Sequence, residues 1–329
     1  MDKLFNEDGL IIAESYQQTI VSVVLPALEK AGREERLTAP DGTALYCVSY
    51  DAVSPRGTVL IVHGFTENAY KYAELINAFL RNGYSVVAYD QRGHGRSGRS
   101  EGLSDMSLTH VERFGDYVSD MKAVVDGPLC RMPGPRYLFA HSMGGAVAAL
   151  FMERYPDVFT RAVLSSPMIE PETAGYPTFV AAAVAFLACA VGKGKKKPFF
   201  MDLYRGPEDF AASCATDPAR FQWYDQVKAE RQEFHNTTPT YRWSFESTRV
   251  RRAILAAGRP ESISCPVLLC AAGNDTMVRR APQKAFIDRV PQGKMVVIDG
   301  AKHEIYRSED RVLMPWWRQV MDFYRAEGA

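Results

Sequence analysis

The stretch YLFAHSMGGAVAAL, residues 137–150, decides how the chain is read. Tyr137 to Ala140 form a short apolar run suited to a buried strand, and Ala146 to Met152 read as a small-residue helix face. Ser142 therefore falls on the bend between them. A strand that turns sharply into a helix strains the turn residue, leaves it projecting, and needs small residues two positions to either side. Ala140 and Gly144 occupy those places, giving the pattern G-x-S-x-G with alanine in the first position. Such a bend lifts a serine oxygen clear of the backbone and aims N–H groups towards it. A tight turn that happens to contain serine would spell the same letters, so the reading rests on partners elsewhere in the chain.

Working outward, strand-like runs recur as ALYCVSY (44–50), TVLIVHG (58–64), SVVAYD (85–90), RYLFA (136–140), RAVLSSP (161–167), PVLLCAAG (266–273) and KMVVIDG (294–300). Segments with apolar residues at helical spacing separate most of them, among them AYKYAELINAFLRNG (69–83), AVAALFMERYPDVF (146–159) and LMPWWRQVMDFYRAEG (313–328). Near-continuous apolar strands alternating with helices imply an α/β fold, a mostly parallel sheet covered by helices on both faces. The alternation breaks once, between about 168 and 255, where no convincing strand is legible. The expected organisation is a core from 1–167 and 256–329, opening with an N-terminal helical extension over 1–35, and a helical cap insertion over 168–255. A cap that follows a strand's carboxyl end stands where open α/β sheets bind ligands.

The chain of 329 residues carries 39 Lys and Arg against 39 Asp and Glu, so no global field favours nucleic acid. Its start, MDKLFNEDGL, holds acids where an export signal carries a basic region, and the six cysteines form no C-x-x-C pair. The expectation is a cytoplasmic protein with reduced thiols, no metal and no cofactor.

A serine hydroxyl is a poor nucleophile until a base takes its proton and a third group holds that base. Of the six histidines, His303 alone follows a late strand, in the loop DGAKHEIYRSED (299–310), and is the candidate base. PVLLCAAG runs into NDTMV and sets Asp275 at a strand's carboxyl end, the candidate third group. The order Ser142, Asp275, His303 is that of an α/β-hydrolase, unlike the chymotrypsin or subtilisin orders. A tetrahedral oxyanion would need two donors: the Met143 N–H just after the serine, and the Phe65 N–H in LIVHGFTEN. His63 is expected to support that loop. The glycines of YDQRGHGRSGR (89–99) mark a structural loop, with His94 outside the chemistry.

With these residues in place the chain resembles the monoacylglycerol lipase and lysophospholipase L2 group of serine α/β-hydrolases. The resemblance lies in VHGFTENAYKY, YDQRGHGRSGR, AHSMGGAVA, LSSPMIEP, AAGNDTMV and AKHEIYRSED, in consistent order across residues 62–310. Within the cap, ATDPARFQWY (215–224) and TTPTYRW (237–243) look more like the lysophospholipase L2 branch. The resemblance implies Ser142, Asp275 and His303 as the triad and Phe65 and Met143 as the oxyanion hole. Ala140 departs from the group's usual glycine.

The expected activity is hydrolysis of a carboxylic ester bearing one long acyl chain. A small-ester, peptide or carbon–carbon hydrolase on the same residues is the alternative, and a non-catalytic binding protein a third reading. YPTFVAAAVAFLACAV (176–191) is too short to cross a bilayer; it either packs as a core helix or lines an acyl tunnel. GKGKKK (192–197) follows it directly. The pairing suggests a peripheral membrane contact through the cap, against the plainer reading of a solvated loop.

Overall fold

The computed structural model describes residues 4–326. Its main sheet has eight strands: β1 (Arg33–Thr38), β2 (Ala44–Tyr50), β3 (Gly57–Val62), β4 (Tyr84–Tyr89), β5 (Arg136–His141), β6 (Arg161–Ser165), β7 (Val267–Ala272) and β8 (Gly293–Ile298). They lie in the order β1-β2-β4-β3-β5-β6-β7-β8. β1 and β2, and β2 and β4, pair antiparallel; every later pair is parallel. This is the α/β-hydrolase fold.

The inner parallel strands are nearly continuous apolar runs because each buries both faces, whereas β8, at the sheet's edge, is largely exposed. Leu60, Val62, Leu138 and Ala140 belong to one core layer, together with α2 (Gly115–Asp126) and α3 (Met143–Arg154). Their neighbours Val59, Ile61 and Phe139 belong to the other, packed on α1 (Ala73–Arg81) and on Trp316 and Trp317 of the last helix.

Residues 168–255, between β6 and β7, give no strand to this sheet and carry α4 (Thr178–Ala190), α5 (Pro218–Glu230) and α6 (Tyr241–Ile254). Thr238–Pro239 does pair with Leu108–Thr109 as a two-residue ladder, extended structure that sequence reading did not find there. Beyond the insertion come α7 (Arg280–Ile287) and α8 (Asp310–Arg325).

The helical extension expected over 1–35 needs correction. Its first three residues lie outside the described ones, helical turns run from Ala13 to Ala31, and Arg33 already starts β1. REERLT escapes a search for apolar alternation because it is an edge strand whose charges face water, as edges commonly do. Its Glu34 accepts from Tyr46 Oη at 2.8 Å, and its Glu35 pairs with Arg131 at 2.6 Å.

Candidate active site

β5 ends at His141 and α3 begins at Met143, so a single residue makes the turn. Ser142 sits at φ 50° and ψ −118°, a conformation L residues rarely adopt. Its neighbours hold it there. The Ser142 N–H donates to the Ser165 carbonyl at 3.1 Å, and its own carbonyl accepts from Gly145 and Met168 at 2.9 and 2.8 Å. A Cβ on Gly144 would stand 2.3 Å from the Val62 carbonyl oxygen, and one on Gly145 would stand 2.5 Å from Pro167 Cβ. Both glycines are therefore required for α3 to press against β3 and the loop after β6. The Ala140 methyl is accommodated in the core.

β3, β5, β7 and β8 end at one edge of the sheet, and the loops that follow them bring the expected residues together. Asp275 Oδ2 lies 2.8 Å from His303 Nδ1, and His303 Nε2 lies 2.7 Å from Ser142 Oγ. An ionised carboxylate only accepts, so Nδ1 carries the proton and Nε2 is left to accept from the serine hydroxyl. Asp275 Oδ1 is held by the N–H groups of Met277 and Val278 at 2.8 and 3.1 Å. Burial works to raise the Asp275 carboxyl, but the His303 ring and these two N–H groups outweigh it and hold it below the usual carboxylate range.

The loop after β3 lies directly against the serine: a Cβ on Gly64 would come within 3.0 Å of Ser142 Cβ. Neither the Phe65 nor the Met143 N–H donates to an acceptor among the described residues. Met143 opens α3, and the first N–H groups of a helix have no intrahelical acceptor. The Phe65 ring is wedged against Trp243 of α6, centroids 4.2 Å apart, so α6 presses on this loop.

Three other histidines, His63, His94 and His141, are buried around the site. His63 Nδ1 donates to the Gly64 carbonyl at 2.7 Å while Nε2 accepts from Gln91 N–H at 2.8 Å, fixing the loop. His94 is buried with its ring edge-on to His63 and Phe65, and burial pushes its pKa well below the ordinary value. His141 is held by the Ser165 carbonyl at 3.1 Å and its ring lies 4.9 Å from that of His303; burial lowers it to about 4, so it is neutral near pH 7.

A buried charge cluster behind the site was missed by sequence reading. Glu67 accepts from the N–H of Gly64, the hydroxyls of Tyr72 and Tyr306, and Lys71. Lys71 also donates to Glu304 at 2.6 Å, and Glu304 pairs with Arg307 at 2.7 Å. Its only sequence signal was the density of charge around the two loops, since the acids and bases that pair in this cluster lie 3 to 233 residues apart.

A profile of the family described as serine aminopeptidase, S33, matches residues 53–310. The chain belongs to this family. The S33 chain is similar to lysophospholipase L2 of Escherichia coli (strain K12), 30% identical over 311 residues that cover 88% of this chain and 87% of the relative. It is also similar to the monoacylglycerol lipase of Mycolicibacterium smegmatis, 26% identical over 278 residues, 82% of this chain and 89% of that one. Among solved structures, the Paleococcus ferrophilus monoacylglycerol lipase superposes with a TM-score of 0.65 at 20% identity, over 85% of this chain and 97% of that one. A soluble variant of the Saccharomyces cerevisiae monoglyceride lipase with a substrate analogue gives 0.65 at 20% identity, over 89% and 94%. The S33 chain is thus a hydrolase of the lysophospholipase L2 and monoacylglycerol lipase group, with the α/β-hydrolase fold. No helix among the described residues is long and apolar enough to cross a membrane.

Proposed function

We propose that this hydrolase cleaves the carboxylic ester of a single-chain lipid, a lysophospholipid or a monoacylglycerol, through an acyl-enzyme on Ser142. The observation that carries the reading is the unbroken hydrogen-bonded chain from Asp275 through His303 to Ser142. In the first half-reaction Ser142 Oγ attacks the ester carbonyl while its proton passes to His303 Nε2. The oxyanion accepts from the Phe65 and Met143 N–H groups, and Asp275 steadies the imidazolium. His303 then gives its proton to the departing alcohol oxygen. Water activated by His303 attacks the acyl carbon, releasing a fatty acid and restoring Ser142. The names of the relatives support a lipid ester as substrate.

The cap supports the same substrate class and a place to meet it. Nine of the fifteen large apolar side chains that the described residues leave exposed fall between 176 and 201. Phe179, Phe186, Leu187 and Val191 belong to α4 or its end, and Phe199 and Phe200 follow the lysine cluster. Lys195 and Lys197 donate to backbone carbonyls, and no carboxylate among the described residues pairs with Lys193, Lys195, Lys196 or Lys197. Apolar side chains beside lysines that form no ion pair among the described residues fit an anionic bilayer surface, on which residues 176–201 would rest.

Two measurements test these readings. A fluorophosphonate should label the wild type and not Ser142→Ala, and matched monoacylglycerols and lysophospholipids should be cleaved faster as the acyl chain lengthens. Absence of labelling leaves a binding protein; labelling with a preference for short esters or peptides leaves the small-substrate hydrolase. Replacing the four lysines by glutamine should weaken binding to anionic vesicles at least about tenfold, each basic residue near the surface being worth about 1 kcal/mol. Hydrolysis of a short soluble ester should not change, and vesicle binding indifferent to salt and to these replacements would return the cluster to ordinary solvated loop.

A further inference from the structure

Glu67 is at once one of the most buried charges in the molecule, 2% exposed, and one of the most fully bonded. Its Oε2 accepts from the Gly64 N–H at 2.6 Å and from Tyr72 Oη at 2.6 Å. Its Oε1 accepts from Tyr306 Oη at 2.5 Å and from Lys71 Nζ at 3.2 Å. Two donors at each oxygen fill the capacity of a carboxylate. These donors come from both sides of the candidate site: Gly64 precedes the oxyanion donor Phe65, and Tyr306 lies three residues after the base His303. Lys71 repeats the tie, reaching Glu304, the neighbour of His303, at 2.6 Å. Tyr72 and Tyr306 stack with centroids 4.8 Å apart, which leaves the two hydroxyls little freedom to drift.

Taking four charges into a core is unfavourable unless each is matched. Glu67, Lys71, Glu304 and Arg307 sum to zero, and burial, which by itself raises both carboxyls, is overcome by Lys71 beside each of them. An apolar core would have packed as well with less penalty. What ionic pairing adds is fixed direction: a hydrogen bond to the Gly64 N–H sets the plane of the His63–Gly64 peptide, one unit before the peptide that carries the Phe65 N–H, whereas an alkyl side chain there would let it rotate.

The geometry points to Glu67 as a positioning residue: its carboxylate clamps the Gly64–Phe65 loop to the His303–Tyr306 loop, holding the Phe65 N–H in register with Ser142 and His303. This rests on the proposed acyl-enzyme mechanism and adds to it a residue that never touches substrate. Losing the clamp weakens binding of the oxyanion and leaves binding of the neutral ester nearly as it was.

Glu67→Gln tests this directly. An amide presents one acceptor oxygen and one donor nitrogen, so one pair of the four donors meets an N–H₂ instead of an oxygen. Glu67→Asp keeps the charge but is one methylene too short to reach both loops, so a role of charge alone would be rescued by it and a clamp would not. Tyr306→Phe cuts a single tie and guards against loss of folding in the Glu67 variants. With turnover of p-nitrophenyl butyrate expressed per folded molecule, Glu67→Gln and Glu67→Asp should lower kcat by about a hundredfold, the scale of losing an oxyanion donor, with KM within about twofold. The inhibition constant of an alkylboronic acid, whose tetrahedral adduct on the serine carries the oxyanion's charge, should rise by a similar factor. Tyr306→Phe should move both quantities the same way by roughly tenfold. The inference is overturned if kcat and boronate affinity stay within twofold in all three variants, if Glu67→Asp restores wild-type turnover, or if kcat falls with boronate affinity intact. Wild-type protein that resists fluorophosphonate overturns the hydrolytic mechanism itself, whereas labelled, active wild type beside unaffected variants overturns the clamp alone.

Discussion

Replacing Asp275 by asparagine exchanges one oxygen for an amide group and leaves the shape of the side chain intact. The amide nitrogen donates where the carboxylate accepted, so His303 would be driven to the tautomer with its proton on Nε2, facing Ser142 with no lone pair to offer. Asp275→Asn is expected to lower kcat by about ten-thousandfold with a small change in KM, read from steady-state kinetics on a soluble ester. A loss under tenfold would mean another group orients His303. At this scale the sequence was most legible where a residue's place follows from local order: Ser142 from its strand–glycine setting, Asp275 and His303 from the strands they follow. Glu67 was illegible for the converse reason. Its four donors lie 3, 4, 5 and 239 residues away, and nothing in a charged residue in the loop after β3 says that it is buried.

Among the elements, α3 combines a legible face with a hidden defect. Its small residues Ala146, Ala148 and Ala149 are fully buried, as the run AVAAL implies, and its N-terminus receives the serine turn. Near its other end Glu153 is buried with neither carboxylate oxygen hydrogen-bonded among the described residues. Burial, only partly opposed by Arg259 and Arg289, pushes its carboxyl up to about 8. A carboxyl whose folded pKa exceeds its unfolded value of about 4.3 folds best protonated, so stability is lost as pH rises from that value towards 8. Glu153→Gln removes this titration. Its melting temperature should exceed the wild type's at pH 8, a gain on the order of 2 kcal/mol, and the difference should shrink towards pH 5. An equal shift at both pH values would show the ionisation to be irrelevant. The strands divide in the same way: the central ones, buried on both faces, stand out as apolar runs, while β1 does not, because solvent on its outer side lets REERLT keep its charges.

Across the whole molecule, the break in alternation at 168–255 matches a segment that adds no strand to the main sheet, but says nothing of what joins that segment to the core. One join, beside the Thr238–Pro239 ladder and the Trp243–Phe65 contact, is Arg220 of α5, whose side chain is wholly buried. Its guanidinium donates to both Glu74 oxygens of α1 at 2.9 and 3.0 Å, to the Ile11 carbonyl at 2.9 Å and to Asp310 of α8 at 2.9 Å. One side chain thus fastens the insertion to the N-terminal segment, the first core helix and the last, with partners 90 to 209 residues distant that no local pattern exposes. Arg220→Leu leaves Glu74 buried without its counter-ion, and removing one partner of such a pair destabilises by about 3–5 kcal/mol. Burial already raises the Glu74 carboxyl despite Arg220, so its loss lifts that pKa further. A raised carboxyl withdraws stability as pH climbs above its unfolded value, and the melting deficit of Arg220→Leu should therefore be larger at pH 8 than at pH 5. Adding Glu74→Leu takes away the stranded charge of α1 and leaves Asp217, also buried and 3.4 Å from the guanidinium, so the double variant should recover part of the deficit and lessen its pH dependence. If the double variant melts below Arg220→Leu at pH 8, the guanidinium acts chiefly through Ile11 and Asp310 and not through Glu74.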